Sequence, residues 1–135
     1  ACETVEVHSM HDPTEGGIAT ALYEMAAAAG ATLRIDAATI PVYEETRRIC
    51  KALSLDPMGL LASGALLAIV DGTAWRRMAS TLNTAGERWR AIGVVEPGAA
   101  RVILGDEDST TPLPVFRRDE LARFLAGAAG DENQA

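Results

Sequence analysis

The stretch MHDPTEGGIATALYEMAAAAG, residues 10–30, decides how this chain folds. A charged, proline-containing turn ends in paired glycines and passes at once into a helical pattern. Apolar residues recur at Ile18, Leu22, Met25, Ala26 and Ala29, the spacing of one helix face. Gly30 stands where a left-handed residue closes a helix. Upstream, ETVEVHS (3–9) alternates apolar and polar residues and predicts a strand. Downstream, ATLRID (31–36) predicts a second one. The unit is strand, glycine-opened helix, strand.

The helix start raises a chemical question. Asp12 and Thr14 can cap a helix, and Glu15 falls in the expected first turn, where its charge suits the helix dipole. Pro13 fixes one dihedral and removes a donor. Gly16 and Gly17 need another reason, because glycine in a helical turn costs up to about 1 kcal/mol relative to alanine. Glycine serves where a dihedral is unusual or where something must approach the backbone. A helix N-terminus offers free N–H groups and partial positive charge, so the turn is a candidate phosphate cradle. The alternative is that the glycines let the helix pack tightly on a sheet. The turn lacks the Gly-Lys-Ser/Thr of a Walker loop and the spacing of a dinucleotide fingerprint.

His11 and Asp12 precede the glycines and are the candidate catalytic pair. His11 can serve as acid, base or orienting group, or simply bond a loop. His8 and His11 lie three apart on a strand and so face opposite ways. A metal site built from His8, His11, Asp12 and Glu15 is therefore not expected.

Further along, VYEETRRICKALSL (42–55) predicts an amphipathic helix with Ile49, Cys50 and Leu53 inward. DPMGLLASG (56–64) reads as a loop or short helical turn. ALLAIVD (65–71), apolar throughout but for its last residue, predicts a central strand buried on both faces. Thr73 is the expected N-cap of a helix ending at Gly86. RWRAIGVVEPG and ARVILG predict a hairpin about a Pro-Gly turn, and RRDELARFLAG a last helix. The order β-α-β-α-β-α-β-β-α points to an α+β fold, an α/β/α layered arrangement with a mixed sheet. Residues 1–126 form one domain and 127–135 a frayed tail.

The 135 residues carry a formal net charge of −7, which argues against a nucleic-acid surface. Hydrophobic residues make up 48%, enough for a core, and no apolar run reaches the ~20 residues of a membrane span. With no signal peptide visible, a cytoplasmic protein is expected. Cys2 and Cys50 form no CxxC pair, and Cys50 reads as a small core residue. Trp75 and Trp89 read as peripheral packing.

HDPTEGG, the IPV that follows, and CKALSLDPMGLLASGALL together resemble the C-terminal domain of the AIR synthase-related superfamily. Within it they look most like the hydrogenase expression/formation protein E family of ATP-dependent carbamoyl dehydratases. The likeness covers about residues 8–105. It implies an α/β/α layered fold with partial ferredoxin-like topology, following an N-terminal ATP-binding domain absent from this chain. It also implies ATP and Mg2+ in the cleft between the two domains, with the acidic metal ligands supplied mostly by the other half. Family members are often dimers. Carried onto this sequence, the cleft-lining residues are Asp12, Pro13, Thr14, Glu15, Gly16 and Gly17, with His11 at the edge. Ser63 and Gly64 belong to a second cleft loop. The isolated domain is expected to be inactive and to hold no cofactor.

One departure bears on chemistry. The carbamoyl dehydratases end in Pro-Arg-Ile-Cys, whereas this chain ends GDENQA and its RRIC (Arg47–Cys50) lies in a helical stretch. An ATP-dependent relative with another substrate fits better. The second hypothesis is a catalytically inactive binding or assembly module.

Overall fold

A computed structural model describes residues 5–105 and 109–131. Among these residues six strands and four α-helices run in the order β1 (Val7–His11), α1 (Gly17–Ala29), β2 (Thr32–Ile35), α2 (Glu44–Leu53), β3 (Leu67–Val70), α3 (Trp75–Thr84), β4 (Gly93–Glu96), β5 (Arg101–Gly105), β6 (Thr110–Pro112), α4 (Glu120–Asp131). Short 3-10 turns occupy Ala37–Thr39 and Pro57–Gly59. The fold is mixed α and β with a mixed sheet, as the sequence predicts.

The main sheet has the order β4-β2-β5-β6, and β1 and β3 form a separate two-stranded antiparallel ribbon. β2 runs antiparallel to β4 and parallel to β5, with Leu33 opposite Val95 on one side and Val102 on the other. Helix α1 lies on the sheet and buries Ala19, Leu22, Met25 and Ala26 against Leu33, Ile35, Ile40, Val102 and Leu113. The opposite side of β2 is polar: Arg34 donates to both carboxylate oxygens of Glu96 at 2.7 and 2.9 Å. α1 ends as expected, with Gly30 at φ 60° and the Ala31 amide bonded back to the Ala26 carbonyl at 3.2 Å.

Several expectations fail for identifiable reasons. β4 and β5 are not a hairpin, because β2 lies between them. Two inter-strand spacings are about 10 Å, which the four residues 97–100 can cross. β3 is not a central strand: among the described residues its one partner is β1, and Leu66 beside it is 65% exposed. Only Leu67 and Ile69 turn to the core. On α2, Cys50 points inward but Ile49 is 56% exposed and Leu53 is also open, since among the described residues nothing covers that face. Ala29 is exposed as well. Thr73 does not cap α3, which starts behind Ala74; its amide bonds the Asp71 carboxylate at 2.7 Å instead. α4 extends to Asp131, beyond Gly127, and residues 132–135 of the expected tail lie outside the described residues.

Candidate functional site around the glycine turn

The first helix begins later than its capping residues suggest. Gly16 is the N-cap at φ 75° and Gly17 the first helical residue at φ 65°. Among the described residues no side chain caps the helix, and Glu15 falls before its first turn, so the capping roles expected of Asp12 and Thr14 are not taken up. The turn instead closes on its own backbone. The Thr14 amide donates to Asp12 O at 2.9 Å, and Gly17 donates to Thr14 O at 3.3 Å. Among the described residues, the amides of Ile18 and Ala19 meet no acceptor. Those two donors sit at the positive end of the α1 dipole.

Both glycines are required by geometry. Their positive φ excludes most side chains. A Cβ on Gly17 would also run into the carbonyls of Leu60 and Met58, the latter at 2.6 Å, and one on Gly16 into Thr20. Tight packing, the alternative raised for these residues, is thus real. It is packing on the 56–62 loop rather than on the sheet.

That loop is the second expected cleft segment. The Ala62 amide donates to Pro13 O at 3.1 Å, which brings Ser63 and Gly64 alongside the 12–17 turn. Ser63 and Gly64 are exposed, and Gly64 takes φ 93° with open space around it. Thr14, Glu15 and Asp12 are exposed too, whereas Pro13, Gly16 and Gly17 are buried.

His11, the last residue of β1, stands 2.6 Å from the Glu24 carboxylate through Nε2. Sequence reasoning missed Glu24. It lies thirteen residues away, and only the angle between β1 and α1 brings the two together. The bond fixes the imidazole by one nitrogen and leaves Nδ1 for another partner. His8 lies on the other side of the strand, near Glu6 at 3.9 Å. Among the described residues no three His, Cys, Asp or Glu side chains converge as metal ligands would. Cys50 is buried, and desolvation, with the nearby Asp56 and Glu120 charges, pushes its thiol pKa up. It is suited to packing rather than to attack.

A family model described as AIR synthase related protein, C-terminal domain, matches residues 1–105. The chain belongs to that family. A carbamoyl dehydratase HypE of Cupriavidus necator is 34% identical over 95 residues, covering 68% of this chain and 27% of that protein. A crystal structure of hydrogenase maturation protein HypE superposes with a TM-score of 0.78 at 28% identity, over 92% of this chain and 42% of the other. One of HypE in complex with ATP gives a TM-score of 0.71 at 28% identity, over 84% and 37%. The chain therefore spans less than half the length of each. Among the described residues no helix is long and apolar enough to cross a membrane.

Proposed function

We propose that this chain is the C-terminal domain of a cytoplasmic, ATP-dependent enzyme of the AIR synthase-related kind. In this reading the 12–17 turn and the Ser63–Gly64 loop line the phosphate side of a cleft closed by an N-terminal ATP-binding domain. The observation that carries it is the glycine-opened start of α1, whose Ile18 and Ala19 amides have no acceptor among the described residues. An anion at that end reaches the half-buried Ile18 amide and meets the helix dipole, with the Ala19 amide buried behind it. The exposed Thr14 hydroxyl adds a donor, and the positive φ of Gly16 and Gly17 turns the backbone into the helix start. Asp12 and Glu15, exposed beside the turn, can hold water or a cation, while most ligands of Mg2+ come from the other domain. Bound ATP supplies an activated γ-phosphoryl group for a substrate oxygen. This chain's contribution is placement and charge stabilisation, with His11, steadied by Glu24, next to the turn.

Titrating the 15N-labelled two-domain protein of this reading, in which the N-terminal ATP-binding domain closes the cleft, with Mg-ATP tests the cradle. The amide resonances of residues 14–19 should move first, and Thr14→Val should weaken the effect several-fold. Movement confined to other residues, or identical titrations for the variant, would sink the assignment. Thr14 is the right probe because it is exposed, whereas a larger residue at Gly17 would collide with the 56–62 loop whatever binds there.

A second reading, an inactive binding or assembly module, draws on Met10, Leu66, Val94 and Val95, all exposed. These side chains ask for a partner under either reading, and the N-terminal domain is one that the first supplies.

A further inference from the structure

The 54–62 loop touches the glycine turn at one end and α4 at the other. At the α4 end, Glu120 is 6% exposed, a depth at which a carboxylate needs partners. It has two. Arg123 donates Nε and Nη2 to its oxygens, each at 2.7 Å, and the Asp56 amide donates to Oε2 at 3.0 Å. Arg123 Nη2 also reaches the Ser54 carbonyl at 3.1 Å. Ser54 is the one non-glycine residue with positive φ among those described, at 53°, so the loop's entry is held in a costly conformation. Asp56 then accepts from the Met58 amide at 2.9 Å and its carbonyl from Gly59 at 3.1 Å, which winds the loop tightly. The Phe116 ring fills the place where a Gly59 Cβ would stand. At the far end, the Met58 and Leu60 carbonyls abut Gly17, and Ala62 bonds Pro13.

We propose that residues 113–124 are a strap that sets the position of the 13–17 turn through the 54–62 loop, with Glu120 as the positioning residue. The consequence for ligand binding rests on the reading of that turn as a phosphate site. The strap itself does not. Glu120 and Phe116 lie beyond residue 105, where the family match stops, so a segment outside the matched region tunes a site inside it. The mechanism is mechanical: the buried carboxylate ties loop backbone to helix α4, and the loop walls the turn.

Amide hydrogen exchange on the full 135-residue chain separates this from general stabilisation. Glu120→Gln keeps an acceptor for the Asp56 amide but loses the charge that holds Arg123; Glu120→Ala loses both. We expect exchange at Gly59, Ala62 and Gly17 to quicken at least tenfold in Glu120→Ala and less in Glu120→Gln. Met25 and Ala26, mid-helix, should change little in either. A uniform rise across the molecule, or a change that stops at Asp56 and leaves Ala62 and Gly17 as they were, overturns the strap. If Glu120→Ala does not fold, Glu120→Gln gives the same pattern at smaller size and decides alone. Mg-ATP titration of the two-domain protein carrying the same substitutions is a separate arm. Absent shifts in the parent two-domain protein refute the phosphate reading and leave the exchange result to judge the strap. Where the parent binds, a several-fold weakening in Glu120→Gln is expected, and equal affinity removes the strap's effect on the site.

Discussion

Helix α1 has glycine at both ends, and the two ends are built differently. At the C-terminal end Gly30 takes φ 60° and, among the described residues, has nothing within 4 Å of where a Cβ would be. At the N-terminal end Gly17 takes φ 65° with loop carbonyls pressed against it. One glycine answers to a dihedral alone. The other answers to a dihedral and to space. The same residue in the same conformation thus marks a simple helix stop in one place and a junction of three segments in the other, where the turn, the 56–62 loop and the start of α1 meet.

The largest effect follows from that junction. Gly17→Ala should lose more than about 3 kcal/mol of stability, since a left-handed residue with a Cβ costs roughly 1–2 kcal/mol and the collision is with backbone that cannot swing aside. Urea unfolding measures it. A loss no larger than that of a change at Gly30 would show that the loop yields freely and would break the contrast between the two ends.

The difference between the ends also marks what could be read from the sequence. The periodicity of Ile18, Leu22, Met25 and Ala26 located α1, and Gly30 located its end, because both signals are local. The reason for Gly17 was not local. Its wall is the carbonyl of Leu60, forty-three positions on (60 − 17). The Pro97-Gly98 turn misled for a similar reason: a turn specifies reversal of direction, not whether another strand slips between the two arms. The apolar run at 65–71 announced burial, yet a strand with one partner leaves Leu66 outside. The stretches 12–17 and 56–64 were legible as motifs, and the Ala62 amide joins them at the Pro13 carbonyl. Glu24 and Glu120 were not, because each acts on a residue far away in sequence.

Acid should act on the N-terminal end before the C-terminal one. The Arg123 guanidinium, bonded to Glu120, holds its carboxyl below the ordinary range, against burial, and the Asp56 amide adds to this. A lowered folded-state pKa gives stability that is fully present above the unfolded value of about 4.3 and is lost as pH falls through the folded value. Glu120→Gln should therefore cost about 2 kcal/mol near neutral pH, and the gap from the parent should close as the solution is acidified below pH 4. Asp71 and Glu96 are also lowered, the first by its Thr73 hydroxyl bond and the second by Arg34, but both titrate in parent and variant alike. Chemical denaturation at a series of pH values reads the difference. A gap that persists at low pH would mean that the hydrogen-bonding mismatch of an amide NH2 facing Arg123, not the lost charge, makes the substitution costly.

The smallest effects belong to the open end. Gly30→Ala should cost only about 1 kcal/mol, the strain of a left-handed alanine with no steric addition, and Gly30→Asn roughly half of that, because asparagine visits this conformation more readily. The ordering Ala above Asn is the informative part. If strain is the whole account, the two variants differ while amide exchange at Gly17 and Ala62 stays at the parent level in both. Should the Gly30 variants loosen the far end of the helix as much as they loosen their own, α1 would be responding as one rigid rod. The separate treatment of its two ends would then have to be abandoned.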